Sequence, residues 1–409
     1  MQPIIVTGQQ IGLLGGPLYT TYKALGAIHL ARKLGGKAVY WLETNDADFN
    51  EINRLDVLDA DGQLRSLAWE IDSQGVSCGY IEVDAALVAM LTQFFDALRQ
   101  TEFTPALRDM ALRCYAPGST LGDASIRLAQ ELFGRFGVEL FDPSQPDFKA
   151  FIKPMLLREA EHTPLGEQGN FFCMVGKKRM AVFRDAHGFA LRDGTRVALE
   201  ARDLVPNVKT RNICQDAYFQ AHTYVAGPGE VKYIAELDAQ YALHGVRKAA
   251  VAPRMSVTLL EPKAARLLRK HQIPLDDALT CDKAALRQRL LKTHAGFDLK
   301  ALTRRTQEIT TGYIEALKSA GAAIDRPCEH AVAQAVKEAL GRQRAQEKAR
   351  AETLLSHAAS LSDLLRPFGK QQERVFNLFY YMNFYGGTAL LDWLFERYDP
   401  ARTILEIGA

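Results

Sequence analysis

No apolar run in these 409 residues approaches the ~18 that a membrane-spanning helix needs, and no basic start leads into an apolar signal core. Charge of one sign is not in excess either. Fifty lysines and arginines face 48 aspartates and glutamates, a net +2, which gives no general footing for nucleic acid. Cys-x-x-Cys pairs are missing. The six cysteines, Cys78, Cys114, Cys173, Cys214, Cys281 and Cys328, lie far apart, a spacing that suits reduced core thiols better than a disulfide frame or a zinc site. Of these thiols, Cys214 alone sits in a polar, motif-like stretch. No Ser-His-Asp order and no metal-binding histidine cluster stands out, so His29 and His222 read as structural. These absences lead to the expectation of a cytoplasmic protein with neither membrane nor nucleic acid as partner and no protein-bound metal.

What is present is a 47% hydrophobic chain, long enough for a substantial core and more than one domain. Strand-length apolar runs alternate with helical patterns through the first ~290 residues, the signature of an α/β fold with a parallel sheet. Strands are predicted at Ile4 to Val6, Lys37 to Leu42, Val138 to Phe141, His222 to Ala226 and Ala249 to Pro253. Residues 56–115 and 165–205 break that rhythm; the second stretch reads as a small antiparallel insertion. From about Leu299, Leu302, Thr306, Ile309, Tyr313, Leu317, Ala320 and Ile324 recur at three- and four-residue steps, and a second long helix is predicted from Pro327 to Leu365. Its charged middle, Arg342 to Arg350, reads as a solvated face. The expected division is therefore a core over 1–295, a coiled-coil hairpin over 296–365, and an aromatic-rich tail over 366–409 that packs back on the core.

The chemistry-bearing residues cluster at strand ends. Val6-Thr7-Gly8-Gln9-Gln10-Ile11-Gly12 continues through Gly15-Gly16-Pro17 into a predicted helix to about Leu34. Glycines let the backbone approach a ligand, and a new helix N-terminus offers N–H donors to an anion. No Gly-Lys-Ser/Thr follows, so this is not a Walker A loop, and a purely structural turn is the alternative. After the second strand, Asp46, Asp48 and Glu51 are placed to hold Mg²⁺ on a nucleotide, orient an amine or accept its proton; a solvated capping loop is the bland alternative. Tyr224-Val225-Ala226-Gly227-Pro228-Gly229-Glu230 repeats the strand–glycine–helix plan, with one helix expected to run on to about Leu243. Glu230 there suits either the helix dipole or a substrate amine. Arg211 suits a bidentate carboxylate or phosphate contact, while Arg254 and Ser256 end another strand with a cation and a hydroxyl.

In order along the chain, these pieces resemble the cysteine ligase family of bacillithiol biosynthesis. The likeness rests on Val6-Thr7-Gly8-Gln9-Gln10-x-Gly12 with Gly15-Gly16-Pro17-Leu18-Tyr19, on Asp46-x-Asp48-Phe49-x-Glu51-Ile52, on Gly118-x-Thr120-Leu121-Gly122 and on Asp142-Pro143-Ser144. It continues through Arg211-x-x-x-Gln215-Asp216, Tyr224 to Glu230, Pro253-Arg254-x-Ser256 and Gly369-Lys370-x-Gln372-Glu373-Arg374-x-x-Asn377. The resemblance implies a Rossmann-like core similar to class I aminoacyl-tRNA synthetases, with inserted connecting segments and a coiled coil that pairs two subunits into a homodimer. The implied reaction joins cysteine to glucosaminyl-malate, an amino-sugar malate conjugate, through an amide bond. Because amide formation is uphill unless the carboxylate is activated, ATP is the expected co-substrate, with Mg²⁺ as its companion. By the same likeness Asp46, Asp48, Arg211 and Glu230 are the expected catalytic residues. Thr7, Gly8, Gln9, Gln10, Gly12, Gln215, Asp216, Gly227, Gly229, Arg254 and Ser256 are the expected nucleotide- or substrate-binding ones. Members usually carry a further segment before the Thr-Gly-Gln-Gln strand, and their acidic loop typically reads Glu-Asp-His-Asp where this chain has Asn45-Asp46-Ala47-Asp48. A related ATP-dependent carboxylate–amine ligase with other substrates, or a non-catalytic homodimeric anion-binding protein, is the alternative that those departures keep open.

Overall fold

The structure, a computed structural model, describes residues 2–293, 299–323 and 325–408. It divides into one unit of Met1–Leu260 with Lys370–Ala409 and a second of Glu261–Gly369. The first unit is built on five parallel strands: β1 (Ile4–Gln10), β2 (Lys37–Glu43), β3 (Glu139–Phe141), β4 (Thr223–Ala226) and β5 (Ala250–Pro253). Their order is β5-β4-β1-β2-β3. The chain thus builds from β1 to one side, then returns and builds from β1 to the other. That reversal puts the topological switch point between β1 and β4, where the connections leaving two adjacent carboxyl ends part and open a crevice.

The central strands are apolar because the sheet is covered on both faces. Ile5, Val6, Val39 and Trp41 are buried, and Phe141 and Phe148 pack against Trp41 with ring centroids 5.0 and 5.1 Å away. Strand β1 runs four residues further than predicted, to Gln10, so Gly8, Gln9 and Gln10 are strand residues in register with Trp41, Leu42 and Glu43. The tight turn comes later. Leu14, Gly15 and Gly16 all have positive φ there, and the Leu14 N–H donates to the Tyr115 hydroxyl at 2.9 Å. Gly12 serves this turn, since a Cβ on it would meet the Gly16 Cα at 2.8 Å. The following helix, Leu18–Leu34, does not offer its first donor to a ligand: the Leu18 N–H bonds the Phe376 carbonyl at 2.8 Å.

Both expected interruptions are present. The first holds the hairpin Arg54–Leu58 and Leu64–Ala68 with the helices Ala85–Ala97 and Thr104–Cys114. The second is an antiparallel sheet of Gln168–Val175, Lys178–Asp185, Gly188–Ala190 and Leu204–Pro206. Thr120 caps the helix Leu121–Phe133 by a reciprocal bond with Asp123. The single helix expected after Gly227 is two, Pro228–Ala235 and Asp238–His244, the first closed off by the Glu236 N–H. In the tail, Phe376 stacks on Tyr380 at 4.6 Å and is fully buried, and Ile404–Glu406 pairs with Thr258–Leu260.

The second unit is helical: Pro262–His271, Leu275–Thr280, Lys283–Thr293, Leu299–Ser319 and Arg326–Leu365. It begins at Glu261 rather than near 296. Leu286 and Leu290 of the third of these helices are buried, and Lys283 pairs with Asp363 near the end of the long helix at 2.9 Å, which ties the earlier helices into the same body. Within the hairpin, Ile309 and Tyr313 are each 64% exposed, and the Arg342–Arg350 stretch is almost wholly solvated. The side chains of Leu302 and Cys328, and Ile324, lie outside the described residues.

Candidate active site

A cleft of about 430 Å³ opens at the switch point. Its floor is the carboxyl ends of the strands: Gly8, Gln9 and Gln10 from β1, Trp41 and Glu43 from β2, and Gly227 to Glu230 after β4, with Arg254 after β5. Tyr19 and Lys23 come from the first helix, Arg211 and Tyr233 from helices beside β4, Arg179 from the antiparallel insertion, and Arg374 from the returning tail. Five cations, Lys23, Arg179, Arg211, Arg254 and Arg374, thus face three carboxylates, Glu43, Asp46 and Glu230.

A continuous hydrogen-bonded chain organises one wall. Lys23, 1% exposed, donates to the Gly8 carbonyl, to Gln9 Oε1 at 3.2 Å and to Glu230 Oε2 at 2.7 Å. Glu230 also accepts the Gly227 N–H at 2.8 Å and the Tyr224 hydroxyl at 2.7 Å. Arg211 then reaches the Tyr224 and Tyr233 hydroxyls at 3.4 and 3.2 Å, and Gln215 Oε1 at 3.3 Å. Burial lowers the Lys23 ammonium to about 8, despite the opposing pull of Glu230. Burial alone would raise the Glu230 carboxyl, but Lys23 and Arg211 outweigh it and hold it below its ordinary value. Arg211 is held mainly by neutral partners, with the nearest Glu230 oxygen at 4.0 Å, so its charge is left for the cleft. Gly8 leaves room here: a Cβ would lie 3.1 Å from Arg211 Nη1 and 3.3 Å from the Trp41 Cβ, so a side chain would press on the guanidinium.

The acidic loop forms the opposite wall. Asp46 accepts the Ala47 N–H at 2.7 Å, Arg179 Nη2 at 2.7 Å and the Gln10 side-chain amide. Glu43 takes the Trp41 indole N–H at 2.9 Å and the Asn45 N–H at 3.2 Å, and burial raises its carboxyl. On the tail side, Arg254 is clamped by Glu373 at 2.8 and 2.7 Å, and Ser256 donates to the same carboxylate at 3.0 Å.

Comparison with known proteins decides the family. The model described as bacillithiol biosynthesis BshC, N-terminal Rossmann-like domain, matches residues 2–203 and 170–255; that of the BshC C-terminal coiled-coil domain matches 257–404. The chain belongs to the BshC family of bacillithiol biosynthesis. A relative from Salinibacter ruber is 29% identical over 95% of this chain and 79% of its own length, and one from Chlorobaculum tepidum 29% identical over 93% and 78%. Both are named, provisionally, as the cysteine ligase BshC. Among solved structures, a glutamate tRNA ligase from Elizabethkingia meningosepticum in complex with its amino acid covers 64% of this chain and 50% of that one. At 13% identity and a TM-score of 0.23 that likeness carries no weight beside the sheet order itself.

For this BshC-family chain, the structure gathers Gly8, Gln9, Gln10, Asp46, Arg211, Gly227, Gly229, Glu230 and Arg254 around one cleft. Other expected residues stand elsewhere. Asp48 is exposed and outside the lining. Gly12 belongs to the turn behind β1, and the Thr7 hydroxyl is spent on the Val225 carbonyl at 2.8 Å. Asp216 is buried under the Tyr241 hydroxyl at 2.6 Å and the Ala249 N–H at 3.0 Å, and Gln215 backs Arg211 from beneath. Ser256 meets Glu373 rather than the cleft. Cys214 is buried and its thiol is pushed up by burial, unlike a nucleophile. The expected site list left out Lys23, Glu43 and Arg179, and also Tyr19 and Arg374, although these two stand in the motifs that carry the family likeness. Lys23 did leave a signal, as a lone charge within the apolar stretch Tyr22 to Leu30.

Proposed function

We propose that this chain is a ligase that joins cysteine to glucosaminyl-malate by an amide bond, with ATP activating the cysteine carboxylate. One observation carries it: a cation-rich cleft at the sheet's switch point, where Arg211, Arg254 and Arg374 of the BshC-like motifs converge with Lys23 and Arg179. The residues fit a polyanion. Arg211 keeps its charge for the cleft, and the Arg254 Nε–H is buried without a partner beside Gly227, where a Cβ would lie 3.4 Å from it. ATP supplies the phosphoryl or adenylyl group that leaves when the amide forms. The chain's own part is to bind and orient. Arg211, Arg254 and Arg374 hold anionic groups, while Gly8, Gly227 and Gly229 let them approach the backbone. Mg²⁺ would arrive with the nucleotide and keep much of its own water. Among the described residues no cluster of three or more His, Cys, Asp or Glu forms a metal site, and no step is assigned to the ion.

The test is direct. Purified protein with cysteine, glucosaminyl-malate and ATP should form bacillithiol, seen by mass spectrometry, in step with nucleotide consumption. Nucleotide binding without product would overturn the assignment; product from another carboxylate–amine pair would favour the related ligase that Asn45 and Ala47 suggest.

The same reading makes the protein a cytoplasmic homodimer joined through the second unit. No helix among the described residues is long and apolar enough to cross a membrane. Ile309 and Tyr313 expose large apolar surface on one helix, four residues apart. Replacing both by glutamate should give monomers by light scattering. A dimer that survives would locate the pairing elsewhere.

A further inference from the structure

Of the three carboxylates in the cleft, two are held by a contact cation. Glu230 carries the Lys23 ammonium, the Gly227 N–H and the Tyr224 hydroxyl. Asp46 carries Arg179, Gln10 and its own loop's N–H groups. Such groups position their neighbours, and a proton taken by either would have to compete with its contact cation. Glu43 differs. Each of its oxygens takes one donor, Trp41 Nε1 on one and the Asn45 N–H on the other, so each keeps acceptor capacity. Among the described residues no lysine or arginine closes an ion pair with it; the charged groups that face it are Arg211, Arg179, Asp46 and Lys149. It also reaches the backbone of the position where this loop has Asn45 instead of a carboxylate.

We infer that Glu43 is the catalytic base of amide formation, taking the proton from the attacking amine at the carboxyl end of β2. The inference rests on the ligase reading above. In the step, the amine nitrogen bonds the activated carbonyl carbon, and the bond from that carbon to the phosphoryl oxygen breaks. The electron pair leaves on the phosphoryl oxygen, and the N–H proton passes to Glu43. A base in this role works best when its proton affinity lies near the working pH. Burial moves the Glu43 carboxyl upward from the ordinary carboxylate range in that direction.

Glu43→Gln keeps the shape and one acceptor oxygen and removes the base. Turnover should fall by about 10²–10⁴-fold, the usual share of a general base, with KM for cysteine changed by no more than about threefold. Wild-type kcat/KM should rise with pH through an acid limb above the ordinary carboxylate range, because the base must first lose its proton. Glu43→Gln should lack that limb, and Glu43→Asp should keep it at reduced turnover. A Glu43→Gln enzyme within about threefold of wild-type turnover, or one with the acid limb intact, would overturn the inference while leaving the ligase reading in place. An inactive wild type would instead defeat the ligase reading, and this assignment with it. Should Glu43→Gln fail to fold, as judged by circular dichroism, Glu43→Asp decides: loss of its acid limb would refute the role.

Discussion

Arg254→Ala is expected to cost about 3–5 kcal/mol of folding stability, the largest effect of any single change to this cleft, because it strips the partner from a buried carboxylate. Arg254 and Glu373 side chains are 2% and 4% exposed and meet through two parallel bonds at 2.8 and 2.7 Å. Ser256 adds a third donor to Glu373, but a hydroxyl does not replace a charge. The pair also closes the first unit on itself, since Arg254 follows β5 and Glu373 lies in the returning tail. Urea unfolding of the single and double variants separates the contributions. Arg254→Met with Glu373→Leu should recover most of the lost stability, because well-packed apolar groups often equal a buried ion pair. It should not recover ligation, since the cation is gone from the cleft. A single variant within about 1 kcal/mol of wild type would mean that water reaches Glu373 and relieves it.

The core's plan was legible because parallel strands buried on both faces leave near-continuous apolar runs, and those around Val6, Val39 and Tyr224 are unbroken. Sheet order was not legible, since no local pattern records that β4 returns beside β1. The end of β1 was misplaced for a related reason. Gly8 and Gln9 have poor strand propensity, and only their pairing with Trp41 and Leu42 keeps them extended. The second unit starts earlier than expected, at Glu261, because Pro262–His271 carries the same amphipathic texture as a helix that covers a sheet and nothing local marks the boundary.

At the site, polarity in the sequence marked the right neighbourhoods and then mixed two kinds of residue. Asp216 looks like Asp46 as text, yet one is sealed beneath Tyr241 and the other faces the cleft. Arg179 reaches Asp46 across 133 residues of chain, from a hairpin whose own pattern is only alternation. Glu43 closes an apolar strand and so reads as its polar boundary rather than as a group in its own right.

Lys23→Met should leave stability nearly unchanged while abolishing most of the activity. Two opposing terms decide this. Burial is strong enough to hold the Lys23 ammonium at about 8 against 10.5 unperturbed even with Glu230 beside it, and an apolar methionine avoids that desolvation cost. Against that, Glu230 loses its contact cation, a penalty of similar size for a buried carboxylate, softened by the Gly227 N–H, the Tyr224 hydroxyl and Arg211 at 4.0 Å. The terms roughly cancel in stability but not in geometry. With Lys23 gone, Arg211 is the remaining cation near Glu230 and is drawn onto it, away from the space that an anionic substrate would occupy. The pH dependence gives an independent check. Between about pH 8 and 10.5 the unfolded chain holds a proton at Lys23 that the folded one has released, so this residue makes wild-type stability rise with pH across that window. Lys23→Met should lose that rise. Chemical denaturation at pH 7.5 and 9.5 measures it, and an identical gain in both proteins would show that Lys23 is not held as this network implies.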